Sequence, residues 1–161
     1  MNKHYEKSNH RSDETSITKV QEGNARWWTD HTMSYDWDTN IDCEKYSLAW
    51  FDEIDRRFIR DSRLFGHDKK PFDKMIPYDR LSGKRVLEIG CGMGFHTEML
   101  ANCGAQVTAI DISDTSVDAT RKRISLKGLS AEVLNQDAEV MHGHRMKEGE
   151  LLLQGPCQSK C

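Results

Sequence analysis

The sequence lacks any long apolar run, and this absence excludes one class of protein. No part of its 161 residues approaches the roughly 18 consecutive apolar residues that a membrane-spanning helix needs. The amino terminus, MNKHYEKSNHRSDE, also lacks the apolar core of a secretory signal. We therefore expect a soluble, cytoplasmic protein that does not bind membranes.

Excess charge of one sign is also missing. The chain has 23 basic and 26 acidic side chains, which gives a net charge of -3. A balance of this kind supplies no electrostatic attraction toward a polyanion. Nucleic acid is therefore not an expected partner.

Cysteines are present, but they have no metal-binding or disulfide pattern. Their number is odd, and their spacing matches no zinc site. The five positions are Cys43, Cys91, Cys103, Cys157 and Cys161. We interpret them as reduced thiols and predict no bound metal.

The first half of the chain divides into two unlike segments. Residues 1–24 are mostly polar and lack apolar periodicity, so they are predicted to form a flexible leader. Residues 25–80 are rich in aromatic side chains. Within them an apolar stripe recurs at three- and four-residue steps, at Leu48, Phe51, Ile54 and Phe58. This spacing predicts an amphipathic helix packed on another element.

Residues 81–140 alternate between short apolar strands and helices, which is typical of an α/β protein with a mostly parallel sheet. Gly104 and Gly128 end the two helices, and Ser113 or Asp114 caps the second. The predicted elements are a strand from Arg85 to Ile89, a helix from Phe95 to Cys103, a strand from Val107 to Ile110, a helix to about Lys127, and a strand from Ala131 to Asn135.

A glycine-rich loop follows the first predicted strand, with Gly90, Gly92 and Gly94 at alternate positions before a helix. Glycine allows a tight turn and a close approach of backbone to ligand, and the helix amino terminus offers free N–H groups. A tight turn without any ligand would need the same residues. The loop alone is therefore a weak signal.

Asp111 strengthens the signal, because it lies 17 residues after Gly94 at the end of the second strand. A carboxylate there can accept hydrogen bonds from two ribose hydroxyls. The same spacing suits a nicotinamide-dinucleotide domain, but that fingerprint needs a glycine where this chain has Phe95.

The pattern acidic-x-Gly-x-Gly-x-Gly resembles the first motif of class I S-adenosylmethionine-dependent methyltransferases. The resemblance extends over roughly Leu81 to Glu139, through VLEIGCGMGFHTEMLANCGAQVTAIDIS and AEVLNQDAE. It implies a Rossmann-like, doubly wound sheet with S-adenosylmethionine as cofactor and a small molecule as methyl acceptor. The cofactor-binding residues that it implies are Glu88, Gly90, Cys91, Gly92, Gly94, His96, Asp111, Ile112, Asp137 and Ala138.

In that family Glu88 would orient the loop and the methionine amino group, and Asp111 would hold the ribose. Asp137, with the backbone of Ala138, would bind the adenine amine. Cys91 is interpreted as a small neighbour of the cofactor and not as a nucleophile. His96 either touches cofactor or substrate, or makes only local hydrogen bonds.

The segment ARWWTDHTMSYDWD looks like the aromatic amino-terminal segment of some bacterial small-molecule methyltransferases. Tyr35 or Trp37 could lie over the cationic sulfonium, or these rings could simply pack in the core. No residue is identified as a general base or other catalytic group.

Residues 141–161 do not continue the family pattern, because only Leu151 to Leu153 is apolar and the rest is polar or broken by glycine. We expect a sheet that is incomplete at its C-terminal side, in a chain truncated or read out of frame beyond Val140. A naturally shortened domain completed by a partner chain is the alternative. Without a fourth strand, the strand Arg85 to Ile89 would be an edge through which copies could self-associate.

Three functions are compatible with the sequence. The first is methylation of a small molecule with S-adenosylmethionine. The second is a truncated remnant that binds the cofactor without catalysis. A nicotinamide-dependent oxidoreductase is a minor alternative.

Overall fold

The computed structural model describes residues 11–35, 40–62, 71–140 and 151–154. Its elements follow the predicted order after residue 81, include the predicted amphipathic helix before it, and add one helix that was not predicted, α1. They are α1 (Arg11–Asp30), α2 (Leu48–Ser62), a 3-10 turn (Tyr78–Arg80), β1 (Arg85–Ile89), α3 (Phe95–Asn102), β2 (Gln106–Asp111), α4 (Asp114–Leu126), β3 (Glu132–Asn135), a second 3-10 turn (Ala138–Val140) and β4 (Leu151–Gln154).

The described strands form one sheet of four, in the order β3-β2-β1-β4, and every neighbouring pair is parallel. The α/β class with a Rossmann-like parallel sheet is therefore confirmed. β1 and β2 pair from Arg85 with Gln106 to Ile89 with Ile110. This register brings the carboxyl ends of β1 and β2 to one edge of the sheet, where open parallel sheets bind ligands.

The prediction that β1 is an edge strand is wrong. β4 pairs with β1 from Val86 with Leu151 to Ile89 with Gln154, so β1 lies inside the sheet. The apolar run Leu151 to Leu153 is short, but a strand needs only four residues to cover β1. The expected self-association through β1 therefore loses its structural basis.

The flexible leader predicted for residues 1–24 is also wrong from Arg11 onward, where α1 begins. α1 has few apolar residues, and its position depends on contacts with distant parts of the chain. Thr115 donates its hydroxyl to the carbonyl of Thr29 at 3.0 Å. Within the described ranges, no helix is long and apolar enough to cross a membrane.

α2 forms as predicted and buries its apolar stripe, with Phe51 and Ile54 at 0% and 2% exposure. It packs with Trp50 against Met93 in the glycine loop and Ala119 in α4. A separate core cluster lies between the sheet and α3, around Val86, Leu100 and Val107. α2 is thus packed directly against the loop expected to bind a cofactor.

Candidate functional site

The glycine loop between β1 and α3 has the left-handed backbone that its glycines predicted. Gly90, Gly92 and Gly94 have φ values of 78°, 54° and 77°, a region that other residues rarely adopt. A Cβ added at Gly90 or Gly92 would meet no atom within 4 Å, whereas one at Gly94 would lie 2.9 Å from Thr120 Oγ1. Gly90 and Gly92 therefore face open space, and Gly94 packs against α4.

This difference predicts unequal effects for two alanine variants. Gly94→Ala should lower the free energy of unfolding by about 2–4 kcal/mol, because a left-handed backbone and an overpacked contact add. Gly92→Ala should lose only about 1–2 kcal/mol, from the backbone alone, but its methyl group enters the space beside the loop. Urea unfolding of both variants measures this, and equal losses would contradict the assignment.

Asp111, at the end of β2, holds the loop in place. Its Oδ2 accepts a hydrogen bond from the Gly92 N–H at 2.9 Å, and its Oδ1 accepts one from the Ser113 N–H at 2.9 Å. Burial raises the pKa of Asp111, against the lowering effect of these backbone donors. The carboxylate therefore ties the loop to the start of α4 and keeps lone pairs for a ligand.

Glu88, in β1, is 3% exposed and accepts a hydrogen bond from the Thr97 hydroxyl at 2.6 Å. Burial is the largest of several effects that together raise the pKa of Glu88 to about 8. The charge of Asp111 also raises the pKa, while the Thr97 hydrogen bond and Arg123 lower it. A buried carboxyl group with this pKa is largely protonated at neutral pH. A cation placed beside it would favour the charged form.

These groups open onto one cavity of about 380 Å³ at the carboxyl edge of the sheet. Its size falls in the range of about 300–1,000 Å³ that is usual for small-molecule sites. Of the ten predicted residues, Gly94 alone is absent from the lining. The nine that line the cavity are Glu88, Gly90, Cys91, Gly92, His96, Asp111, Ile112, Asp137 and Ala138.

The segment after β3 is tied to the end of β2 and forms one side of the cavity. The Gln136 N–H donates to the Asp111 carbonyl at 3.0 Å, and the Asn135 amide donates to the Ile112 carbonyl at 3.2 Å. Asp137 accepts a hydrogen bond from the Glu139 N–H at 2.8 Å. Asp111 and Asp137 therefore lie along the same wall.

The opposite wall comes from the amino-terminal helices and contains residues that sequence reasoning missed. α1 contributes Gln21, Asn24 and Trp28. These three side chains are spaced so that they lie on one face of a helix. That pattern would have indicated a common surface if α1 had been predicted. Gln21 donates to Glu139 at 2.9 Å, which joins the two walls. Further missed lining residues are Thr32, Met33, Ile54, Asp55, Phe58, Ile89, Met93, Phe95, Ile110, Ser116, Gln136 and Glu139.

Of the two rings considered for a sulfonium contact, Tyr35 lines the cavity, and Trp37 lies outside the described residues. The Tyr35 ring centroid is 5.4 Å from that of Phe58. Burial, and to a lesser extent the negative charge of Asp61, raises the pKa of Tyr35 to about 12. The phenol is therefore neutral at physiological pH.

A buried arginine beneath the loop joins three helices. Arg123 of α4 is 1% exposed and donates to Asp55 of α2 at 2.8 Å and to Glu98 of α3 at 2.6 Å. It also donates to the Met93 carbonyl in the glycine loop at 3.3 Å. The positions of α2 and the loop therefore depend on one charged side chain.

Cys91 and His96 are the two remaining predicted residues with reactive side chains. Cys91 is buried, and its burial raises the pKa of the thiol, so it is not an activated nucleophile. His96 lies among aromatic rings, with ring centroids 5.6 Å from Phe58 and 5.4 Å from both Phe72 and Phe95. Burial, and then the charge of Arg123, lowers the pKa of His96 to about 4.

Comparison with known proteins agrees with this geometry. Residues 86–148 match the family model described as a methyltransferase domain. The chain is similar to a ubiquinone biosynthesis O-methyltransferase of Methylocella silvestris, 36% identical over 88 residues that cover 53% of this chain and 34% of that protein. The mitochondrial ubiquinone biosynthesis O-methyltransferase of Schizosaccharomyces pombe is 44% identical over 62 residues, covering 38% and 21%.

A solved structure of an S-adenosylmethionine-dependent methyltransferase from Aquifex aeolicus is also similar, with a TM-score of 0.36 and 27% identity over 40% of this chain and 37% of that one. The chain spans less than half the length of the curated relatives named here.

The parallel sheet, the glycine loop and the match over residues 86–148 agree with a methyltransferase domain of the Rossmann-like, S-adenosylmethionine-dependent class. The relatives that this chain matches over part of their length are methyltransferases as well. The residues present fit S-adenosylmethionine, because Gly90 and Gly92 leave open space beside the loop, and the buried carboxyl group of Glu88 and the half-buried one of Asp111 line the same cavity.

Proposed function

We propose that this protein transfers a methyl group from S-adenosylmethionine to a hydroxyl group of a small molecule. The observation that carries the proposal is the contact of Asp111 with the Gly92 N–H, because it joins the carboxylate proposed to hold the ribose to the loop proposed to hold the methionine moiety. The matched methyltransferase domain and the similarity to O-methyltransferases support the same reaction.

In this proposal Gly90 and Gly92 let the methionine moiety approach the backbone, and Glu88 receives its amino group. Asp111 accepts hydrogen bonds from the ribose hydroxyls. Asp137 and the Ala138 backbone bind the adenine amine. When bound, the cofactor supplies a methyl group on a good leaving group, and the protein supplies alignment and excludes water.

The wall formed by α1 and α2 supports an acceptor with an apolar, ring-containing body. Trp28, Met33, Ile54 and Phe58 line this side of the cavity. Flat apolar groups bind well to such surfaces. Relatives are named as O-methyltransferases, which favours oxygen as the methylated atom. We therefore propose a hydroxylated aromatic compound as the acceptor.

Calorimetric titration tests the cofactor assignment directly. S-adenosylhomocysteine should bind more tightly than NAD, because the loop lacks the third glycine of the dinucleotide fingerprint. Tighter binding of NAD would instead support a nicotinamide-dependent oxidoreductase. Binding of S-adenosylhomocysteine without any methyl transfer to a set of phenols would favour the inactive remnant.

Asp111→Ala is expected to weaken binding of S-adenosylhomocysteine by about 1–3 kcal/mol, which is the usual loss when a charged hydrogen-bonding partner is removed. Asp114→Ala is the matched control, since Asp114 lies just beyond the site in the first turn of α4. Calorimetry on both variants, with circular dichroism to confirm folding, gives the comparison. An unchanged dissociation constant for folded Asp111→Ala would remove this residue from the site.

The predicted cytoplasmic location and the absence of a nucleic-acid partner stay predictions. Fractionation of cells that express the full-length protein would test the first. Titration with RNA at physiological salt would test the second.

A further inference from the structure

His96 has a buried polar atom to which the contacts described above give no role. The side chain lines the cavity, and its Nε2 atom is buried without a hydrogen-bond partner among the described residues. Leaving a buried polar atom unpaired is unfavourable, so such an atom in a native site calls for an explanation.

The rings around His96 supply that explanation. The imidazole is nearly perpendicular to Phe58, at 88°, and it is also steeply inclined to Phe72, at 64°. An N–H group directed at an aromatic face makes a weak favourable contact, whereas a lone pair directed there is repelled by the negative face. Nε2 is buried in an imidazole whose centroid lies within 5.6 Å of those of three phenylalanine rings, and in such surroundings a proton on Nε2 is better accommodated than a bare lone pair.

From this geometry we propose that His96 is held with its proton on Nε2 and that its free Nδ1 lone pair accepts the proton of the methyl acceptor. The inference rests on the proposed function, and it assigns the proton acceptor that the sequence left unidentified. Because Nε2 is the covered nitrogen, Nδ1 is the one through which the ring can meet a ligand in the cavity.

The reaction balances with this assignment. The acceptor's hydroxyl oxygen uses a lone pair to bond to the methyl carbon, while the carbon–sulfur bond breaks and its electrons go to sulfur. The hydroxyl proton passes to Nδ1, so one positive charge moves from the sulfonium to the imidazolium. The proton then leaves to solvent.

The electrostatics of the pocket agree with a group that is neutral before the reaction. Burial, followed by the charge of Arg123, lowers the pKa of His96 to about 4. The imidazole therefore keeps a free lone pair at neutral pH. Because it is a weak base, it accepts the proton only as the oxygen–carbon bond forms, which makes the hydroxyl proton strongly acidic, and it then releases the proton readily.

Nitrogen NMR on protein labelled at histidine tests the tautomer without any acceptor or turnover. At neutral pH, His96 should show a protonated Nε2 and an unprotonated Nδ1. With S-adenosylhomocysteine and catechol both bound, the Nδ1 resonance should move toward that of a hydrogen-bonded nitrogen. A protonated Nδ1 in the ligand-free protein would overturn the proposal.

Three variants separate a proton acceptor from a packing residue. The Asn side chain places an oxygen near the position of Nδ1, so H96N should bind catechol within about threefold of wild type in the presence of S-adenosylhomocysteine. H96F and H96Q should bind it about tenfold or more weakly, because a hydrogen bond is lost. All three should lose turnover by about 10²–10⁴-fold.

The affinity for S-adenosylhomocysteine is measured first for each variant, and catechol affinities are then compared with every variant saturated with S-adenosylhomocysteine. Equal catechol affinity for H96N and H96F would overturn the role of Nδ1. Failure of the wild-type protein to bind S-adenosylhomocysteine would instead contradict the proposed function. Failure to bind only catechol would contradict the phenolic acceptor, and the tautomer measurement would still decide the state of His96.

Discussion

Replacing Arg123 with methionine should lower the free energy of unfolding by about 3–5 kcal/mol, which is the usual cost of removing one partner from a buried ion pair. Arg123 is 1% exposed, and the carboxylates that it pairs, Asp55 and Glu98, have side chains that are only 16% and 14% exposed. Methionine fills similar volume, so the loss comes from two carboxylates left without their buried partner. Equilibrium unfolding in urea measures it.

Arg56→Met is the matched control for this prediction. Arg56 also pairs with a carboxylate, Glu53, but its side chain is 73% exposed. Exposed pairs contribute only about 0–1 kcal/mol. A triple variant, Asp55→Asn with Glu98→Gln and Arg123→Met, should recover part of the loss because no uncompensated charge remains. A loss in Arg123→Met no larger than that in Arg56→Met would show that the network contributes little.

Glu88 should make the stability of the ligand-free protein fall as the pH rises. Its folded pKa of about 8 lies above its ordinary value of 4.5, so the folded protein holds a proton that the unfolded chain has already lost in that interval. Stability from this group is fully present below about pH 4.5 and is lost as the pH rises through about 8. The total loss is on the order of a few kcal/mol.

Glu88→Gln is the variant that isolates this effect, because it keeps the side-chain shape but cannot titrate. Urea unfolding from about pH 5 to about pH 9 should show the wild type losing stability relative to Glu88→Gln. Two half-buried carboxyl groups whose pKa values are also raised, Asp55 and Asp111, remain in both proteins. Parallel stability profiles for the two proteins would show that Glu88 is already ionised in the fold.

The same titration predicts a signature of cofactor binding. In the proposed site a ligand ammonium group lies beside Glu88 and favours its carboxylate, so binding near neutral pH should release close to one proton per site. Calorimetry of S-adenosylhomocysteine in buffers with different ionisation enthalpies measures this release. Glu88→Gln should release less, and an equal release from both proteins would place the ammonium group elsewhere.

Several features of this protein follow from local sequence alone. The strand from Arg85 to Ile89 occurs with its predicted bounds, and Ser113 accepts a hydrogen bond from the Ser116 N–H as a helix cap. The loop glycines adopt the left-handed backbone expected of them. Each of these depends on backbone sterics or on partners within a few residues, so short-range reasoning was sufficient.

Tertiary structure alone decided the rest. α1 has a polar sequence and gains its place over the cavity from distant partners, such as Glu139 for Gln21 and Thr115 for Thr29. β4 is a strand only because β1 pairs with it across a long separation in the chain. Gly94 packs against Thr120, and its position in the motif does not indicate this contact.

The local motif therefore indicates which kind of cofactor this chain is expected to bind. A glycine loop and a carboxylate at a fixed spacing are held at a fixed distance by the strands and helix between them. The opposite wall, the buried charge of Arg123 and the surroundings of His96 arise where helices far apart in sequence meet. Contacts of that kind depend on the packed structure, since no local pattern records which distant side chain will be the neighbour.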